Sequence, residues 1–508
     1  MTLIIEGTIS PPRGGGPTAM PSSGAGHGVA RRANKSPRLW AAKSPRARRD
    51  LRPTMPWMTA SIADRKDAGR ALRELVPREG HADWRPRPRK PDVVEILERQ
   101  ARSRLSDLVP IRYGRMADSP FGFLRGAAAV MACDLSTTPV TGLRVQACGD
   151  AHVRNFGKFA TPERNMIFSI NDFDETLPGP WEWDVKRLGA SLYVVARQNG
   201  FSSGKCDEIV TTCIRSYRER MVSYATMRTL DLWYDHTNMD DVIAHFPKKD
   251  RPRVIRDVQK ASRRDHDRAV ARLTTRNGSQ PRFVEDPPLI VHLDKTDHDL
   301  DEASSVLGDY RSTLSDDRRL LLDRFQILDV AHRVAGVGSV GTRCWIALLE
   351  ASDHPRGDHI VLQVKEAQAS VLEPYIGAST LGHHGRRVVA GQRLTQGASD
   401  IFLGWCEGPQ TGRQYYVRQL WDLKGRSDLT TMNHRNLDYH GALCGSALAR
   451  AHARTGDAVQ ISSYLGRSAV FDRALAGFSA SYALATELDH TTLVDAIAEG
   501  RVEARPGI

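Results

Sequence analysis

The chain has 508 residues, 40% hydrophobic and 26% charged, which is ordinary globular usage and enough for more than one core. Its net charge of +12 does not describe a basic body: residues 1–104 hold 22 Lys+Arg against 10 Asp+Glu, and the rest hold 50 of each. A specific nucleic-acid partner is therefore not expected, only non-specific anion contacts along a solvated basic arm. The seven cysteines are scattered with no C-x-x-C pair, which argues against a zinc or disulfide framework and suits a reducing cytoplasm. No apolar run approaches the ~20 residues of a membrane span, and the start lacks a secretory pattern, so a cytoplasmic location is expected.

Residues 1–55 are rich in Gly, Pro, Ser and Arg, too poor in apolar surface to offset the entropy of ordering. Met55 and Met58 are alternative candidate starts. A short helix is expected over 60–77, an Arg/Pro linker over 85–91, and the folded body from about Pro91. Helical periodicity runs from Val93 to Leu108, and Ser119–Gly126 leads into an Ala-rich helix. Strands are expected at 143–147 and 166–170. Residues 185–330 read as mostly helical, with an amphipathic stretch at 206–227 and a charged one at 251–272 that reads as a solvated helix face. Strands follow at 344–349 and 360–364, a helix at 386–396, a hairpin from 401–406 and 414–420, and helices over 437–455 and the final forty residues.

Between those strands lie residues with chemistry. Gly336, Gly338 and Gly341, with Ser339 among them, form a triplet that lets backbone approach phosphates, although plain turns produce the same spacing. A strand, a turn and a second strand ending at Lys365 make the phosphate reading stronger, because a glycine loop followed by a strand-borne lysine is how kinases hold ATP. Glu373 is the best-spaced partner for Lys365, with Glu366 as the adjacent alternative. Gln419 and Leu420, with Trp421 and Asp422, would form the hinge facing adenine.

Asp150 precedes Asn155 by five positions, and Asn171-Asp172-Phe173-Asp174 follows. An acid to orient a hydroxyl, and an amide and a second acid to hold a metal, are the minimal kit for phosphoryl transfer. The alternative is that these acids merely cap turns. Gly149-Asp150-Ala151-His152 also begins a metallophosphoesterase pattern, but the later elements of that site are missing, so His152 reads as local support. His383, His384 and His452 read as surface or helix-packing residues.

The segment Cys148–Asn155 resembles the catalytic loop of the kinase-like fold in its aminoglycoside-phosphotransferase form, with Cys148 in place of the usual His. The resemblance implies that Asp150 is the catalytic acid/base and that Asn155 and Asp172 are Mg²⁺ ligands, with Asp174 as a second acid. It also implies that Asp184, after Gly179-Pro180-Trp181-Glu182-Trp183, steadies the loop from the next helix. Over about 91–490 the chain resembles the bacterial domain-of-unknown-function family 2252. That match rests on Arg112–Met116, Ser119–Gly126, Gly149–Gly157, Asn171–Pro180, Gly336–Arg343, Gln363–Ala367 and Val417–Leu420.

The order of the parts is unusual, because the catalytic-loop motifs precede the glycine loop and lysine. The expected architecture is thus an α+β, circularly permuted, two-lobed kinase-like fold. Its antiparallel-sheet lobe spans 331–425, and its helical lobe comprises 91–330 and 426–508 beyond a basic arm at 1–90. Helix 437–455 would run toward residues 143–150 across the permutation point. The expected activity is transfer of the ATP γ-phosphoryl group to a hydroxyl of an unknown acceptor, with ATP and Mg²⁺ as cofactors. A nucleotide-binding sensor, AMP transfer on the same fold and an interaction protein without nucleotide are the alternatives.

Overall fold

Two long apolar stripes set the larger part of the fold. Val185, Leu188, Leu192 and Val195 recur at helical spacing on helix Trp181–Gln198, and Ile209, Cys213, Tyr217 and Met221 do so on Ser203–Tyr224. Both stripes are buried in one core with helices His434–Thr455 and Val470–Ala498. Gly445 lets His434–Thr455 close on its neighbour, since a Cβ there would collide with the Cys213 carbonyl. The computed structural model describes residues 60–508, apart from 88–91, 246–247, 250, 263–265, 278–279, 294–297, 335, 352–357, 421–424 and 426. Residues 1–59 and part of the linker expected at 85–91 lie outside the described residues. Residues 60–87, expected within the basic arm, hold helix Ile62–Leu75 and the 3₁₀ turn Arg78–Ala82, so the folded body begins well before Pro91. The described residues from 60 onward belong to one compact unit.

The strands are, in chain order, β1 (Arg144–Ala147), β2 (Phe156–Ala160), β3 (Met166–Ile170), β4 (Leu177–Pro180), β5 (Thr237–Asn238), β6 (Thr274–Asn277), β7 (Gln280–Phe283), β8 (Ile290–His292), β9 (Phe325–Arg333), β10 (Cys344–Ala351), β11 (Asp358–Glu366), β12 (Gly404–Glu407) and β13 (Gln414–Gln419). Every pairing among them is antiparallel. The protein is therefore a mixed α+β structure with small antiparallel sheets, and the largest has the order β12-β13-β11-β10-β9-β8. One face of that sheet, with Trp345, Ala347, Leu349, Leu362, Val364, Tyr415 and Val417, packs on Ala303, Val306 and Tyr310 of helix His298–Tyr310. Alternation along β11 and β13 turns Gln363, Lys365 and Arg418 to the other side.

Three further expectations change. The helix read over 93–108 stops at Ala101 and resumes as Val109–Ala117 after a short 3₁₀ turn, Ser106–Leu108. Between them the Leu105 N–H donates to the Gly341 carbonyl (2.7 Å), and Pro110 opens the second helix. The sheet begins earlier than residue 331, because β8 and the first part of β9 belong to it. That half of β9 is half-buried to exposed, so its alternation is weak in the sequence. The short strands β2 and β4 were also not foreseen; each carries Gly or Pro and fewer than six residues.

Segments far apart in sequence close against one another. Helix Ile62–Leu75, opened by a Ser61–Asp64 capping box, lies on Ala458–Leu465 and pins it through Arg65, which reaches both carboxylate oxygens of Asp457 at 2.9 and 2.6 Å. Arg87 bridges Asp134 and Asp489, and the Arg505 N–H donates to the Pro110 carbonyl (2.8 Å). Among the described residues no helix is long and apolar enough to cross a membrane.

Candidate functional site

Loop 148–155 leaves β1 and is locked from behind. The buried Asp184 carboxylate, in the first turn of helix Trp181–Gln198, accepts from the Cys148 N–H (2.6 Å), the Gly149 N–H (2.9 Å) and His452 Nε2 (3.1 Å). The other ring nitrogen of His452 meets the Tyr217 hydroxyl at 2.9 Å, which fixes this histidine as a packing residue. Gly149 has φ +79°, and a Cβ there would collide with the Glu175 carbonyl, so only glycine fits. The turn then presents Asp150. Arg187 holds its Oδ1 at 2.5 Å, and His152 Nε2 lies 3.8 Å from Oδ2. Burial pushes the Asp150 carboxyl up to about 7 against the pull of Arg187, with Glu175 and Asp172 pushing the same way. Asn155 donates Nδ2 to the Asp150 carbonyl (2.8 Å), which leaves its Oδ1 as the acceptor.

The second acidic segment follows β3. The Asn171 N–H donates to the Asn155 carbonyl (2.8 Å), which ties the two loops together. Asp174 is held from the sheet: Lys365 Nζ reaches its Oδ2 at 2.6 Å and the Tyr416 hydroxyl its Oδ1 at 2.5 Å. Lys365 also lies 5.4 Å from the Tyr416 ring centroid. Burial opposes the lysine's charge, but Asp174 outweighs it and holds the ammonium above its ordinary range; Lys365 in turn holds Asp174 below its own. Arg387, buried on helix His384–Thr395, donates to the carbonyls of Asp174 (2.8 Å), Thr176 (2.7 Å) and Gln368 (2.7 Å) and so clamps acid segment to sheet lobe.

These loops and the sheet enclose a cavity of about 1040 Å³. Asp150, Asn155, Asp172, Asp174, Gly336, Gly338, Ser339, Lys365, Gln419 and Leu420 all border it. Gly341 and Glu373 do not. Gly341 is set against the Arg104 side chain, and the Glu373 carboxylate lies 3.9 Å from Arg387 and accepts from the Ser370 N–H (3.2 Å). The carboxylate that meets Lys365 is thus Asp174, from the loop after β3, and not one on the following helix. The hinge is also less open than expected, because the Gln419 N–H donates to Asp400 Oδ2 (2.5 Å) and the Leu420 N–H to the Val361 carbonyl (2.8 Å). Trp421 and Asp422 lie outside the described residues.

Eight arginines and Lys365 line the cavity against five carboxylates. Arg268 and Arg272 come from the stretch read as a solvated face. Leu273 is buried against the sheet with Val270 packed on it, and the two arginines border the cavity while remaining exposed to solvent, as a solvated face requires. Sequence reasoning missed Arg187, Arg387, Tyr416 and Arg418 as site residues. The alternation of β11 and β13 carries a signal for the last two; the first two face inward only once the helices are packed.

The architecture is mixed α+β, and its acidic loops face a basic sheet across one cavity. Residues 104–496 match the family described as uncharacterized proteins conserved in bacteria (DUF2252), and the chain belongs to that family. No curated protein and no solved structure matches it.

Proposed function

We propose that this chain is an ATP-dependent phosphotransferase acting on a hydroxyl, built as a kinase-like fold in circularly permuted order. The observation that carries the reading is the convergence of Asp150, Asn155, Asp172 and Lys365 on one cavity from two distant stretches of sequence. The permuted order is supported by the end of helix His434–Thr455, where Thr455 Oγ1 accepts from the Gln146 N–H of β1 at 3.0 Å. The helix that would ordinarily lead into the catalytic loop thus ends beside the strand that does lead into it.

In this reading Lys365 and the backbone of 336–339 hold the ATP phosphates. The acceptor hydroxyl attacks the γ-phosphorus, its proton passes to Asp150, and ADP leaves with the electrons of the broken P–O bond. A carboxylate near 7 is suited to that proton transfer at neutral pH. Asn155 Oδ1 and Asp172 are hard oxygen donors suited to Mg²⁺, which would neutralise charge on the phosphates. Among the described residues no three His, Cys, Asp or Glu side chains form a ready cage, so nucleotide and water would have to supply the remaining oxygens. Asp174, already bonded to Lys365 and Tyr416, is the weaker candidate ligand.

Mg-ATP is expected to raise the melting temperature, and the shift is expected to vanish in Lys365→Ala and Asp172→Ala. Absence of any shift in the wild type would remove the basis of the reading. One observation favours a nucleotide sensor as the second reading: Asp150 is already ion-paired with Arg187. Binding without turnover would select it, and product mass separates phosphate from AMP transfer.

A further inference from the structure

Two arginines line the same cavity, Arg104 from the bend after helix Val93–Ala101 and Arg112 from helix Val109–Ala117, and neither has a role in the reading above. Arg112, on Val109–Ala117, is fully buried at 0% exposure. Its Nη2 donates to Gln100 Oε1 (2.9 Å) and the Gly126 carbonyl (2.8 Å), while Nε and Nη1 have no partner. Arg104 donates Nη1 to the Val340 carbonyl (2.5 Å), and its Nε has none. Neither forms an ion pair with a carboxylate among the described residues.

Burial lowers the affinity of Arg112 for its proton, and the neighbouring Arg104 lowers it further, so the two guanidinium groups feel each other. A guanidinium does not escape this by losing its proton in the physiological range. Burial opposes the Arg104 charge, and Glu175, Glu366 and Asp174 partly offset that, whereas no carboxylate does so for Arg112. A guanidinium withdrawn from water and short of counter-charge is costly, and a fold retains it where an anion completes it. Two positive charges with unspent N–H donors match the charge and acceptor oxygens of a phosphate dianion.

We propose that Arg104 and Arg112 form a subsite for a phosphate group carried by the acceptor, so that the hydroxyl compound phosphorylated here is itself a phosphate ester. Only the word acceptor rests on the phosphotransferase reading; the anion subsite does not. The pair is reserved for the acceptor because the nucleotide phosphates already have Lys365, the glycine loop and the Mg²⁺ ligands.

The test is thermal unfolding of the full chain with inorganic phosphate, against chloride at matched ionic strength. Phosphate is expected to raise the wild-type melting temperature by about 2 °C or more. That shift is expected to vanish in Arg104→Met and in Arg112→Met, with phosphate affinity weakened about 30-fold or more. It is expected to persist in Lys365→Met, and the Mg-ATP shift to persist in both arginine variants. Without phosphate, Arg112→Met is expected to be at least as stable as wild type, which a purely structural arginine would not allow. Should Arg112→Met fail to fold, the half-buried Arg104 carries the test alone. No phosphate shift in the wild type, or one that survives Arg104→Met, overturns the subsite. Loss of the Mg-ATP shift together with the phosphate shift overturns the acceptor assignment, because the pair would then hold the nucleotide. A phosphate shift that obeys these expectations in a protein blind to Mg-ATP upholds the subsite and sinks the phosphotransferase reading instead.

Discussion

The acidic floor of the cavity and its basic roof are built on different principles. The floor is fixed from behind, with Asp184 gripping the loop backbone, Gly149 admitting the Glu175 carbonyl and Asn155 bonding its own turn. The roof is fixed from the front, because Lys365 finds its counter-charge across the cavity on Asp174. A floor residue thus serves the fold first and ligand second, whereas roof residues are held by groups a ligand can replace. Damage to the floor is expected to register as lost stability, and damage to the roof as lost binding, with a stability loss as well where, as at Lys365, it strands a floor carboxylate.

The largest effect should come from Asp184→Ala. It strands two loop N–H groups and His452 in a buried setting, and equilibrium denaturation is expected to show a loss of about 4 kcal/mol. Lys365→Met should cost about 2–3 kcal/mol by leaving the Asp174 carboxylate without its cation. A double cycle with Asp174→Asn is expected to recover part of that loss; strict additivity would mean that the pair is not coupled. Gly149→Ala should cost about 2 kcal/mol from its left-handed backbone and the collision with Glu175.

The floor also carries a pH signature. Burial raises the Asp150 carboxyl to about 7 in the folded protein, well above its ordinary value of 3.8. Its contribution to stability is therefore fully present at low pH and is lost as pH rises through about 7. Wild type is expected to lose on the order of 3 kcal/mol relative to Asp150→Asn between pH 4 and about 7.5. A flat difference across that range would mean that Arg187 dominates over burial. The smallest stability change is expected for Gly338→Ala, under about 0.5 kcal/mol, since an added Cβ would make only ordinary contact with the Arg125 carbonyl. If the roof reading holds, Mg-ATP binding should weaken in that variant all the same.

The same contrast explains what could be read from the sequence. The floor motifs lie within a few dozen residues of one another, and Asp184 was marked only by the resemblance of that segment to the kinase-like catalytic loop and the helix after it. Strands β10, β11 and β13 and the long helices were legible because their apolar periodicity extends over several turns or pleats. The partner of Lys365 was not, because a search along the following helix cannot find a carboxylate contributed by the loop after β3. Arg387 was equally hidden: on its helix it looks like an ordinary solvated arginine, and only packing reveals three carbonyls around it. Arg104 and Arg112 escaped notice as site residues for a related reason, since an arginine withdrawn from water by packing cannot be told from a surface one by its neighbours in sequence.

The closure of segment 62–117 on segment 457–505 bears on how the protein is made. A ribosome delivers the early helices first, yet their packing surfaces, including Asp457, Asp489 and the Arg505 amide, emerge almost four hundred residues later. The nascent chain therefore carries an unfinished face until those later residues have been made, and this closure can lock only then.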